Sequence, residues 1–100
     1  MKKFIVERNI PGAGDLSPEE LQVMAQAWSD AIARFGEPYY WIKSYVGTDK
    51  IYCVHIAENA EKVRLLAKQN KFPINTIMEI ATIIDPITGY QLVPSRSETK

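Results

Sequence analysis

The sequence of 100 residues has one cysteine, Cys53, and one histidine, His55. A lone cysteine forms no internal disulfide and no cysteine-rich zinc site, which points to a reducing compartment. An excess of either charge is also missing: 12 Lys and Arg face 12 Asp and Glu. A balanced chain has no field with which to hold a polyanion, which argues against nucleic acid as a partner. No apolar run approaches the ~20 residues that span a bilayer. Glu7 and Arg8 interrupt the segment after Met1 before a signal-peptide core can form. The expectation is a cytoplasmic protein with neither a nucleic acid nor a membrane as partner. Phosphate loops are lacking too, since Pro11-Gly12-Ala13-Gly14 has neither the further glycine nor the lysine of such motifs. There is no Gly-x-Ser-x-Gly elbow, and Lys50 to His55 lacks the basic-glycine-aromatic signature of RNA-binding sheets.

What is present is the composition of a soluble globule, 46% hydrophobic and 24% charged. A single domain over residues 1–93 is expected, with 94–100 as a polar, frayed tail. Lys3 to Ile10 reads as a strand ended by Pro11 and Gly12. Ser17-Pro18-Glu19-Glu20 is a capping-box start with proline at the first helical position. Leu21, Met24, Ala25, Trp28, Ala31, Ile32 and Phe35 continue it as one apolar stripe up to Gly36. Tyr39–Val46 and Ile51–Ala57 form a hairpin about Gly47-Thr48-Asp49-Lys50. Asn59 caps a second helix reaching about Asn70, and Ile77–Ile84 reads as a long last strand. Ile87, Tyr90, Leu92 and Val93 suggest a short extra strand. The order β-α-β-β-α-β predicts an α+β, ferredoxin-like sandwich with strand order 4-1-3-2 and both helices on one face.

Two helices shield only one face of such a sheet. Strands two and four carry large apolar residues on both faces, which a strand with one wet face should not do. The chain has too few residues left to cover the open face. The inference is a homodimer that hides on the order of 800 Å² per subunit, in the manner of dimeric α+β barrels.

On strand three, Val54 and Ile56 are expected to face the helices, leaving Ile51, Cys53 and His55 on the open face. A Cys-x-His pair sets two borderline ligands ~7 Å apart on one side of a strand. That suits nickel, copper or zinc, and dimer symmetry would double the set. Glu7 and Glu79, on neighbouring strands, are the candidate oxygen ligands. The metal candidates are therefore His55, Cys53, Glu7 and Glu79, with no catalytic residue assigned. The blander reading makes His55 an interface histidine, Cys53 a small buried hydrophobe, and the two glutamates partners of Arg8 or Lys43. The alternative function is a small-molecule binder or enzyme, of monooxygenase or isomerase type, with a pocket between helices and sheet or between the two subunits of a ferredoxin-like dimer; an enclosed cavity containing His55 would favour it. That alternative rests on fold analogy alone.

Glu7-Arg8 with Ile10-Pro11-Gly12-Ala13-Gly14, Trp41 to Val46, Lys50 to Val54, Phe72-Pro73 and Ile84-Asp85-Pro86 occur in this order. Together they resemble a family of small bacterial proteins known as a domain of unknown function, some of whose members are described as nickel-binding. The resemblance runs from about residue 3 to 87. It implies a dimeric ferredoxin-like fold and nickel binding or sequestration rather than catalysis. Members often have histidine where this chain has Lys43 and Leu66; a lysine cation is a poor ligand and leucine is none. The cyclase label attached to some relatives finds no metal-binding aspartates or nucleotide site here.

Overall fold

The computed structural model describes residues 1–91. Strand β1 (Lys2–Asn9) leads through a 3-10 turn at Ala13–Asp15 into helix α1 (Pro18–Phe35). The hairpin β2 (Tyr39–Val46) and β3 (Lys50–Ala57) follows, then α2 (Ala60–Asn70), β4 (Thr76–Glu79) and a short α3 (Pro86–Gln91). The four strands form one antiparallel sheet in the order β2-β3-β1-β4. This is the expected α+β, ferredoxin-like arrangement, with the chain's central strands β1 and β3 paired along their full length.

Local chemistry fixes the ends of α1. The Ser17 hydroxyl accepts from the Glu20 amide, and the Glu20 carboxylate accepts from the Ser17 amide, closing the capping box. Gly36 stops the helix in the left-handed region at φ 76°, where a side chain would be strained. Trp28 and Ala31 are buried, and Leu21, Met24, Ala25, Ile32 and Phe35 pack around them in part. Asn59 caps α2, which buries Val63, Leu66 and Ala67.

The glycine-containing motif at 10–14 is structural. The Ile10 amide donates to the Asp49 carbonyl, the Gly12 amide to Asp49 Oδ1, and the Gly14 amide to the Thr48 carbonyl. A Cβ on Gly14 would lie 3.0 Å from the Thr48 Cα, so this loop and the β2–β3 turn touch backbone to backbone. No amide cradle is left over for a phosphate.

Three expectations are corrected. The last strand is short: β4 ends at Glu79, and after the Ile80 amide donates to the Lys3 carbonyl the ladder stops. Asp85-Pro86 opens a helix instead of closing a strand, because Asp85 accepts from the Thr88 amide and proline suits the first helical position. Ile87 and Tyr90 are therefore helical and not part of an extra strand, while Leu92 and Val93, with the tail 94–100, lie outside the described residues.

Candidate functional site

The sheet's two faces are set by register. Phe4, Val6 and Arg8 of β1 are buried, and they pair with His55, Cys53 and Ile51 of β3, which are buried with them. The helix face of β3 is thus Ile51, Cys53, His55 and Ala57, the reverse of the expected assignment; Tyr52, Val54 and Ile56 lie on the open face. The alternation alone could not decide, because both sets are apolar. Charge placement on β1 decides it: Glu7 and Arg8 are adjacent, so one of them must point inward, and Arg8 has aromatic company there.

Arg8 is 3% exposed, and sequence reasoning had placed it only as a surface partner for carboxylates. Its guanidinium carbon lies 5.5 Å from the Trp28 ring centroid and 6.0 Å from that of Phe72. Nη1 donates to the Pro73 carbonyl at 2.8 Å, and Nε donates to Cys53 Sγ at 3.4 Å. Among the described residues no carboxylate pairs with Arg8. The charge is held by two π-faces, a carbonyl and a thiol, a set for which the planar, weakly hydrated guanidinium is suited and lysine is not. The Phe72-Pro73 and Glu7-Arg8 motifs of the sequence therefore meet here as one packing unit.

His55 lies one pleat further along, edge-on to Tyr39 at a centroid distance of 5.2 Å. Among the described residues neither of its ring nitrogens finds a hydrogen-bond partner. Burial, and then the nearby Arg8 charge, push its pKa down to about 3, so the imidazole is neutral. Burial also holds the Tyr39 phenol well above its ordinary value.

The four metal candidates do not converge. Cys53 and His55 face the helices, in the core. Glu7 faces the opposite side, where it accepts from Lys50 Nζ and from the Thr76 hydroxyl; these bonds lower its pKa, and Lys50 rises in turn. Glu79 pairs with Phe4 in register and so belongs to the helix side, but it is exposed at the strand's end near Lys2. The expected carboxylate partners, Arg8 and Lys43, are replaced by Lys50 and Lys2. Among the described residues no three His, Cys, Asp or Glu side chains cluster as a metal site. A nickel ion does not fit beside Cys53 and His55: an arginine cation already occupies the thiol, and no carboxylate offsets the ion's charge. Leu66 is in the core and Lys43 is exposed.

The open face carries Lys3, Ile5 and Glu7 from β1, and Tyr52, Val54 and Ile56 from β3. β2 adds Tyr40, Lys43 and Tyr45, and β4 adds Thr76 and Met78. Tyr45 and Tyr52 are cross-strand partners, 56% and 36% exposed, and Met78 is 58% exposed. Ile42 is the extra residue of a bulge between Trp41 and Lys43. The bulge lets Tyr39 and Trp41, and then Ser44, share the helix face, with Trp41 Nε1 donating to the Ser44 hydroxyl at 2.9 Å. Between α1 and β2 an open apolar groove of about 190 Å³ is lined by Met24, Trp28, Trp41 and Ile51, among others. His55 is buried and lines neither this groove nor those beside Glu79 and beside Ile32.

No helix among the described residues is long and apolar enough to cross a membrane. A search of curated proteins finds no match. Among solved structures, the chain is similar to the crystal structure of SCO4226 from Streptomyces coelicolor A3(2), with 16% identity and a TM-score of 0.68. The likeness covers 82% of this chain and 99% of that one, and at this identity it supports the ferredoxin-like fold alone. The family model described as nickel responsive protein SCO4226-like matches residues 4–80, from within β1 to the residue after β4. The chain therefore belongs to the SCO4226-like family of nickel responsive proteins.

Proposed function

We propose that this protein is a non-catalytic homodimer that acts in the response to nickel, with the sheet's open face as its working surface. The observation that carries the reading is that face: Tyr40, Tyr45, Tyr52 and Met78 are all exposed on the side that no helix among the described residues covers. Contiguous exposed apolar area of this kind marks an interface on a soluble protein. The buried placement of His55, whose imidazole is neutral, supports a role without acid-base chemistry.

For the metal, the family description supports nickel, and the geometry narrows the candidates. Glu7 is the one proposed ligand on the face that both solvent and a second copy reach. A two-fold axis through that face doubles it, supplying two carboxylates where one protomer has one. Cys53 and His55 are left to the core. Titration of nickel chloride into tag-free protein, followed by calorimetry, tests this. Saturable heat is expected, lost in Glu7→Gln and kept in His55→Asn. Absence of heat, or loss in His55→Asn alone, overturns the assignment.

A further inference from the structure

The segment Ala81–Gln91 begins where the family match ends, and its helix α3 makes no extensive contact with another described element. Its last hydrogen bond to the sheet is at Ile80; beyond that the backbone bonds only to itself, at Asp85–Thr88. Ile83, Ile84, Ile87 and Tyr90 are 67%, 75%, 58% and 73% exposed. Ala81, Thr82 and Ile83 line an open groove with Met1, Lys2 and Lys3 at the start of β1.

Such an arm is costly to leave in water. An isolated helix as short as α3 is not stable without a surface to pack on. Yet α3 is locally well specified, with Pro86 at its start and Asp85 accepting from the amide and the hydroxyl of Thr88. Ile87 and Tyr90 are three apart, so one side of the turn is apolar. Ile84, just ahead of the helix, adds to it.

The geometry points to an arm exchange: Ala81–Gln91 of each copy packs on the open sheet face of the other. This deepens the homodimer reading above and rests on it. Three observations favour a second copy as occupant. The arm's last hydrogen bond to its own sheet is at Ile80, and Ile83, Ile84, Ile87 and Tyr90 are not buried on that sheet. The surface that lacks a cover and the cover that lacks a surface are both apolar, and both occur once per chain, which a two-fold pair satisfies reciprocally. Extended residues 81–85 span up to roughly 17 Å, and four strands lie across about 15 Å, so the helix can be delivered to the middle of a facing sheet. Tyr45 and Tyr52, paired side by side, offer a flat aromatic seat for Ile84 and Ile87.

The test uses the full chain and the double variant Ile84→Asp with Ile87→Asp. Both sites are exposed in the single copy, so the fold should persist, with circular dichroism as the check. Sedimentation equilibrium should give a dimer for the parent and at least a tenfold weaker one for the variant. In an equimolar mixture of isotope-labelled and unlabelled parent, filtered NOEs should join Ile84 and Ile87 methyls to Tyr45 and Tyr52 rings across chains. A parent that is monomeric at all concentrations overturns the exchange and the dimer together. A parent dimer unaffected by the variant, or with arm contacts only within a chain, overturns the exchange and leaves the dimer standing.

Discussion

Among the described residues His55 finds no hydrogen-bond partner for either nitrogen, and its surroundings are Tyr39, Phe4, Trp41 and the Arg8 charge beyond Cys53. Such a group titrates at folding's expense. In the unfolded chain it takes a proton near pH 6.5; in the folded chain it does so only near pH 3. Between those values the unfolded state binds the extra proton, so stability is full above about pH 6.5 and falls as the pH drops through the window. The total is on the order of 3–5 kcal/mol. Glu7 acts in a lower window, since its depressed pKa gives stability that is lost only as the pH falls below its ordinary 4.5. Urea midpoints of the parent should therefore decline between pH 6.5 and 4.5, and those of His55→Phe should stay nearly level there. Parallel declines would show that His55 does not sense the core as described. The residue types of this centre were legible in the sequence; their direction was not. A histidine and a cysteine on a strand suggest a functional face, whereas here the face is set by Arg8, whose aromatic partners Trp28 and Phe72 come from distant segments.

Elements with their own local chemistry are the ones the sequence discloses best. The capping box at Ser17 and Glu20, the left-handed stop at Gly36 and the Asn59 cap are short-range, and each sits where expected. Ser17→Ala removes the hydroxyl that accepts from the Glu20 amide, and about 1 kcal/mol should be lost. For a domain of this size that is a melting point lower by roughly 4–8 °C, readable by calorimetry, and Ser17→Asp should recover most of it. A change smaller than the replicate error would mean that α1 is held by Trp28 and its neighbours without help from its cap. The elements that departed from expectation depend on what their neighbours do. β2 reads as a regular strand, but the bulge at Ile42 shifts its alternation midway, so Ser44 joins the helix face and Lys43 leaves it. β4 has apolar residues as far as Ile84, yet β1 begins at Lys2 and can face nothing beyond Ala81 in this register, and a strand without a ladder ends. Composition cannot reveal the length of a neighbour.

At the scale of the whole molecule the helices cover one face and leave an aromatic and aliphatic one bare, while Ile83, Ile84, Ile87 and Tyr90 stay exposed as well. Apolar area of this extent contributes to stability only when something removes it from water. If a second copy does so, folding and association are coupled, and stability depends on protein concentration. A hundredfold rise in concentration adds about 2.7 kcal/mol to the stability of a dimer at a given temperature. Spread over the unfolding entropy of two chains of this length, that raises the melting point by roughly 6 °C. Calorimetric scans at 2 and at 200 μM, roughly the range a small protein allows, should thus separate by several degrees, with a single transition at each. Coincident melting points would mean that the bare face stays wet in a single folded copy. They would also remove the two-fold axis on which the paired Glu7 carboxylates depend, so the nickel reading and the arm exchange both stand on this separation.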